Sequence, residues 1–329
     1  MLGLMTWGMA AISAHAAGTL DAVRAAGSLS CGVLTEPDDY GRDDLHGALD
    51  DFGTDLCRAV SAAVLGNAAH MRKIGLSDEA HGFAALESGK IDLLLGATPS
   101  IAAALRYGVA FTAPVFLDGV ALLVPRAGGA RWLDDLAGKQ VCFIGNTAAQ
   151  TALERAAARR HIAIVPFPFE ENGEMHAALV TGHCAAVADS ASRLSVTRAG
   201  FHGHIADFTV PAERLTLDPM APALRGGDAP WASVVGAVTD ALLIAEREGV
   251  TAANATHLQG STDPALRAIT GGLPGIALDR DWALRAIAAV GNYAELYDRD
   301  CGPESELDLA RGVNVLSEHG GLLFPQLLR

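Results

Sequence analysis

Positive charge is in short supply in this chain. Its 24 Lys and Arg residues face 38 Asp and Glu, a formal net charge of -14. Nucleic-acid binding needs a basic footprint, so this balance argues against that class and against adhesion to an anionic membrane. Aromatic residues are also few, at 5%, yet half of all residues are hydrophobic, which supports packed cores rather than disorder. Beyond the first residues no window holds about 18 unbroken apolar positions, so no membrane-spanning helix is expected. Low-complexity tracts and internal repeats are missing. So are C-x-x-C pairs, which removes support for zinc-ribbon and thioredoxin chemistry. G-x-S-x-G, H-E-x-x-H, P-loop and G-x-G-x-x-G fingerprints do not occur either, and neither catalysis nor a cofactor is expected.

Residues 1–17 are mostly apolar and contain Ala14-His15-Ala16, a small-x-small cleavage pattern, with no Lys or Arg before it. The stretch is too short to cross a membrane, and export with loss of residues 1–16 as a signal peptide is expected; an ordinary N-terminal helix is the alternative. An oxidising compartment permits disulfides among Cys31, Cys57, Cys142, Cys184 and Cys301. Cys142 lies in a strand-like run and Cys184 precedes another, so neighbouring strands would bring them together. Two buried thiols are the alternative, and pairing of Cys31 with Cys57 stays open.

The length of 329 residues suits two domains. Ser28–Leu34 reads as a strand, Thr54–Leu65 as a helix with Leu56, Val60 and Val64 on one face, Glu79–Gly89 as a helix stopped by glycine, and Ile91–Leu95 as a buried strand. The same alternation restarts near Gly128. Strands are expected at Gln140–Ile144, Ile162–Phe167 and Ala185–Ala188, separated by helices reaching about Arg160 and spanning Glu174–Thr181. Strands alternating with helices indicate a mostly parallel α/β sheet in each unit. After Leu217 the pattern is helical, at Trp231–Arg247, Asp263–Ile269, Trp282–Tyr297 and Leu307–His319. That is more helix than the second unit needs, so the chain is expected to return to the first.

Several segments, in order and spacing, resemble the polar-amino-acid family of periplasmic solute-binding proteins of ABC importers, in its general L-amino-acid-binding branch. Thr19–Arg24 with Cys31-Gly32-Val33 matches the opening of that branch, and Asp51-Phe52-Gly53-Thr54-Asp55-Leu56-Cys57-Arg58-Ala59-Val60 resembles its G-F-D-x-D-(L/F)-C-R-A-V segment. Phe83–Asp92 matches F-x-A-L-x-S-G-x-(V/I)-D. Asp279–Ala283, Ala289–Glu295, Gly302-Pro303, Ala310-Arg311-Gly312 and Gly320-Gly321-Leu322 match the long C-terminal extension. The resemblance implies a type II periplasmic-binding-protein fold: two α/β lobes joined by two hinge strands, with the ligand cleft between them. Lobe one would comprise residues 17–125 and 218–329 and lobe two residues 126–217. It further implies capture of a small polar ligand, delivery to an inner-membrane permease, a periplasmic location and a monomeric protein.

Burying the carboxylate and ammonium of an amino acid requires paired charges or dense hydrogen bonding, and a guanidinium grips a carboxylate bidentately. The family therefore carries hydroxyl-x-hydroxyl-x-x-Arg after a lobe-one strand. Here Thr98 and Ser100 supply the hydroxyls, but the arginine position is Ala103. Arg106 lies about 4.5 Å further along a helix and is turned by about 60°, within reach of the cleft only if its side chain folds back. In lobe two, Asn146-Thr147-Ala148 replaces a G-T-(T/S) turn whose N–H groups suit a carboxylate, leaving Thr147 as a contact or as a helix cap. Asp189 stands one residue before the family's ammonium-binding aspartate, a position held by Ser190, and a one-residue slip on a strand changes the face presented. Gly53 replaces a cleft-side aspartate. Phe52 and Tyr40 are candidate walls of the pocket, or a core and a loop residue respectively.

Three altered anchors leave a second class open, a ligand-divergent module acting as a periplasmic partner, sensor or metal-binding protein. Asp38, Asp39, Asp43, Asp44, His46, Asp50 and Asp51 form an acidic segment of a kind hard cations favour, although the spacing is not that of an EF-hand. His202-Gly203-His204 lacks a third ligand in sequence. No metal site is expected.

Overall fold

The computed structural model describes residues 18–34, 48–201, 203–272, 275, 278–326 and 328. The chain runs through α1 (Thr19–Ala26), β1 (Leu29–Leu34), α2 (Ala48–Leu65), β2 (Met71–Leu76), α3 (Glu79–Glu87), β3 (Leu93–Ala97), α4 (Ile101–Tyr107), β4 (Val109–Phe111) and β5 (Phe116–Asp118). It continues through β6 (Val120–Pro125), β7 (Gln140–Ile144), α5 (Ala148–Arg160), β8 (Val165–Phe169), α6 (Asn172–Val180), β9 (Ala186–Ser190), α7 (Ala191–Ala199) and β10 (Phe208–Thr209). It closes with β11 (Asp218–Arg225), α8 (Ala229–Arg247), α9 (Arg267–Thr270), α10 (Trp282–Val290) and α11 (Tyr293–Asp300).

Two sheets result. The first has the order β2-β1-β3-β11-β4, with β5 also paired to β11; the second has the order β10-β6-β9-β7-β8. The pairs β1–β2, β1–β3, β7–β8 and β7–β9 are parallel, whereas β11 and β6 run antiparallel to their neighbours. β6 (Val120–Pro125) pairs with β9 and β10 and so joins the second sheet. The chain returns to the first sheet at Asp218.

Local packing explains the elements that flank the cleft. α2 buries Phe52, Leu56, Ala59, Val60 and Ala63 on one stripe. At Gly53 it crosses the sheet so closely that an added Cβ would stand 3.2 Å from Val33 and 3.3 Å from Leu95. Gly53 therefore faces the sheet, and the absence of a side chain there permits this close helix-to-sheet contact. α8 is long and apolar enough to cross a membrane by composition, but most of it is buried inside the protein.

The Cys31–Cys57 disulfide ties β1 to α2, and Cys142–Cys184 ties β7 to the turn before β9. Both pairs left open by the sequence are thus bridged, and Cys301 is buried as a thiol.

The expected helix Trp282–Tyr297 is two helices, because Asn292 caps a new one reciprocally with Glu295. Leu307–His319 is not an α-helix and holds only short turns. Side-chain hydrogen bonds made to it and by it fasten it to the rest of the protein. Arg198 on α7 donates to the carbonyls of Glu306 and Leu307 at 2.9 and 3.0 Å. Asn314 exchanges two hydrogen bonds with the Leu117 backbone on β5. Arg311 grips Glu246 of α8 with two 3.0 Å bonds. The extension thus fastens lobe two and a crossing strand to lobe one.

The cores share this plan. One cluster fills the outer face of lobe one, with Phe83, Leu86 and Leu94, and another fills a face of lobe two, with Leu133, Phe143 and Leu153. The largest cluster runs from one lobe into the other, joining Leu56 and Trp282 to Met175, Leu194 and Phe208.

Candidate functional site

The strands of lobe two end together. Ile144 closes β7, Ser190 closes β9, and Glu170 follows β8, while α5, α6 and α7 all begin at this end. Open α/β sheets bind ligands beyond the carboxyl ends of their strands. A pocket of about 370 Å³ lies here, lined by Ile144, Thr147, Glu170, Asn172, Asp189, Ser190 and Arg193, with Ala148, Ala149 and Ala188. Two larger pockets, of about 530 Å³ beside Trp132 and Pro211 and about 560 Å³ beside Arg247 and Gln326, are away from all these strand ends.

Thr147 and Asp189 are the two expected residues that meet in this pocket. Thr147 caps α5: its hydroxyl donates to the Ile144 carbonyl at 2.7 Å and accepts from the Gln150 N–H at 3.4 Å. The N–H of the neighbouring Asn146 donates to the Gln150 side chain. Asp189 accepts from the Ser190 N–H at 2.7 Å and lies 3.8 Å from Arg193 Nε. Strand alternation predicted opposite faces for Asp189 and Ser190. Both line the pocket, because the chain leaves β9 for α7 at this point and Ser190 is the cap of that helix.

The remaining expected residues lie elsewhere. Thr98 and Ser100 follow the carboxyl end of β3 on lobe one. The Thr98 N–H donates to the Glu79 carboxylate at 2.6 Å, and the Ser100 hydroxyl caps α4 by accepting from Ala103. Ala103 is buried against the Phe83 cluster. Arg106 is exposed and lies over the ring of its neighbour Tyr107, 5.1 Å from the centroid, rather than folding back. Phe52 is a core residue, only 2% exposed and edge-on to Phe116, Tyr293 and Tyr297, so no surface of it remains for a ligand. Tyr40, His202 and the acidic positions 38–46 lie outside the described residues, while Asp50 pairs with Lys73 and His204 with Asp207. Among the described residues no group of three or more His, Cys, Asp or Glu side chains is placed to hold a metal.

Sequence reasoning missed Arg193, Glu170 and Asn172 in the pocket. No local signal marks Arg193, because Asp189 lies at the end of a strand and Arg193 at the beginning of a helix, and only the turn between them brings the two charges together.

Below the pocket the two connections cross. Gly119 separates β5 from β6, and its backbone lies so close to the second connection that an added Cβ would stand 2.1 Å from the Thr216 carbonyl oxygen. Beside it, buried Asp118 of β5 accepts from both the N–H (3.2 Å) and the hydroxyl (2.5 Å) of Ser192 at the start of α7 in lobe two. Burial pushes the Asp118 carboxyl upward, opposed by the Ser192 bonds and by the Arg214 charge. Two crossing segments between two sheets form a hinge in the sense used for domain closure.

No protein-family model matches the chain. The chain is 31% identical over 318 residues to the glutamate/glutamine/aspartate/asparagine-binding protein BztA of Rhodobacter capsulatus, covering 94% of this chain and 93% of that one. It is 30% identical to the general L-amino acid-binding periplasmic protein AapJ of Rhizobium johnstonii, covering 96% and 94%. A solved ABC-transporter periplasmic binding protein from Brucella ovis, with glutathione bound, superposes with a TM-score of 0.71 at 30% identity, covering 95% of this chain and all of that one. Two lobes, two crossings, a pocket at the strand ends and near-complete coverage agree: the chain belongs to the family of amino-acid-binding proteins of ABC transporters.

Proposed function

We propose that the protein captures a small polar ligand, an amino acid or a close relative, in the periplasm and presents it to the permease of an ABC importer. The observation that carries this reading is the lobe-two pocket, where a carboxylate, a guanidinium, an amide and hydroxyls converge beside an interlobe hinge. Thr147 and Asp189 contribute from lobe two, and hinge closure brings Thr98 and Ser100 over the ligand from lobe one. The protein acts as a monomer, exported by way of residues 1–16, and turns over no substrate.

Thermal unfolding with L-amino acids, glutathione, simple carboxylic acids and sugars tests this. A ligand at one hundred times its Kd stabilises the native state by about 2.7 kcal/mol and raises the Tm accordingly. A screen at millimolar concentration in which neither amino acids nor glutathione moves the Tm refutes the reading. A flat screen favours the second reading, a periplasmic partner or sensor module. That reading draws on Ala103 in place of a guanidinium and on the use of the Ser100 and Thr147 hydroxyls as helix caps.

A further inference from the structure

Arginine is present in the pocket, but on the opposite lobe from the one the family pattern implies. Arg193 lines the lobe-two pocket from the first turn of α7. Its side chain is 42% exposed, and among the described residues its carboxylate partner is Asp189, approached through Nε at 3.8 Å. That contact is too long for a hydrogen bond. It leaves the paired terminal nitrogens of the guanidinium, the edge that grips a carboxylate bidentately. Arg198, five residues later, shows what a structural arginine on the same helix looks like: it is buried and bonded to the carbonyls of Glu306 and Leu307. The other two candidate positions offer no charge to the pocket, since Ala103 is buried and Arg106 lies over Tyr107.

Resting on the reading of this pocket as the ligand site, we propose that Arg193 is the carboxylate anchor and Asp189 the ammonium anchor, so that lobe two reads both charges of a zwitterionic α-amino acid. The two charges stand four residues apart at the strand-to-helix turn, which suits groups separated by one carbon atom in the ligand. Once the ligand has neutralised both, Glu170 remains as an unmatched acid lining the same pocket. A second carboxylate on the ligand meets repulsion there, whereas a neutral or cationic side chain does not. The ligand class is therefore α-amino acids with one carboxylate.

Isothermal titration of the mature protein and its variants with L-glutamine, L-glutamate, L-lysine and the α-amide of L-glutamine tests the assignment. Wild-type protein is expected to bind L-glutamine or L-lysine at least tenfold more tightly than L-glutamate, and E170Q is expected to narrow that gap. R193A is expected to lose at least a hundredfold in affinity, R193K less, while R159A at the far end of α5 serves as an unaffected control. The α-amide probes the carboxylate directly: wild-type protein discriminates strongly against it, and R193A does not. Circular dichroism and Tm establish that R193A and R193K are folded. If wild-type protein binds amino acids but R193A stays within threefold, or R106A abolishes binding instead, Arg193 is not the anchor and the transport reading stands. If L-glutamate binds most tightly, the single-carboxylate class is wrong. If wild-type protein binds no amino acid, both this assignment and the transport reading fall.

Discussion

Gly119→Ala strikes the point where the two interlobe connections cross. Gly119 has φ +148°, a conformation that residues with side chains rarely adopt, and the new Cβ would stand 2.1 Å from the Thr216 carbonyl oxygen, where contacts under 3.0 Å are essentially never seen. The backbone conformation alone costs about 1–3 kcal/mol. Relieving the clash requires the connections to part by roughly an ångström, which disturbs three hydrogen bonds: Ala191 N–H to the Gly119 carbonyl (2.9 Å), Val120 N–H to the Thr216 hydroxyl (2.9 Å) and Leu215 N–H to the Val120 carbonyl (2.6 Å). At about 1 kcal/mol each, partly retained, these bring the expected loss to about 3–5 kcal/mol. Urea unfolding followed by circular dichroism measures it, provided the m-value is unchanged. Gly128→Ala is the control, because its added Cβ meets nothing within 4 Å and its φ is not positive; it should fall within about 0.5 kcal/mol of wild type. A Gly119→Ala protein within 1 kcal/mol of wild type would show that the crossing is not a tight contact in solution.

Two further outcomes follow from the covalent and electrostatic framework. Closing loops of 26 and 42 residues, the disulfides Cys31–Cys57 and Cys142–Cys184 should contribute about 3.5 and about 4 kcal/mol through the unfolded chain. Paired Cys→Ser substitutions measured by urea unfolding test each, and a loss below 1 kcal/mol for either would mean that the bridge does not form. Burial raises Asp240 from 3.8 to about 6, and burial with the nearby Asp55 charge raises Asp300 to about 7. Each group therefore binds its proton more tightly when folded. The associated stability is complete below about pH 4 and is lost as pH rises through 6 and 7. The Tm should rise as pH falls from 8 to 5, and D240N and D300N should each flatten that slope. A Tm profile that falls over this range, or that neither variant changes, contradicts the assignment.

Much of the fold is legible in the sequence because it rests on local signals. β7 is a short apolar run with its bounds in plain view, and α8 carries helical periodicity over its whole length. The crossing strands β5, β6 and β11 are harder to find, because their burial comes from partners distant in sequence: β6 pairs with β9 and β11 with β3 and β4. Leu307–His319 misleads for a related reason. Its leucines are buried, as a helical pattern would require, but the backbone is held by Arg198 and Asn314 in an irregular path. In the site, the identities of Thr147 and Asp189 were readable and their environment was not. Whether a hydroxyl faces a ligand or caps a helix depends on which backbone N–H groups the folded chain brings within its reach, as Ala103 is brought to Ser100 and Gln150 to Thr147. Phe52 shows the limit most plainly, since the aromatic partners that bury it come from β5 and from α11, the latter some 240 residues away.

The apolar cluster shared by the two lobes, fastened by Arg198 and by the Asp118–Ser192 contact, bears on how much affinity the polar anchors must provide. A binder whose lobes swing freely spends little time in its competent arrangement, and its observed Kd is weakened by that fraction. A common core limits that swing, so the time spent in the competent arrangement is set by packing shared between the lobes as well as by the hinge. For any ligand the polar pocket takes, the observed affinity is then fixed in part by buried apolar residues that never touch it.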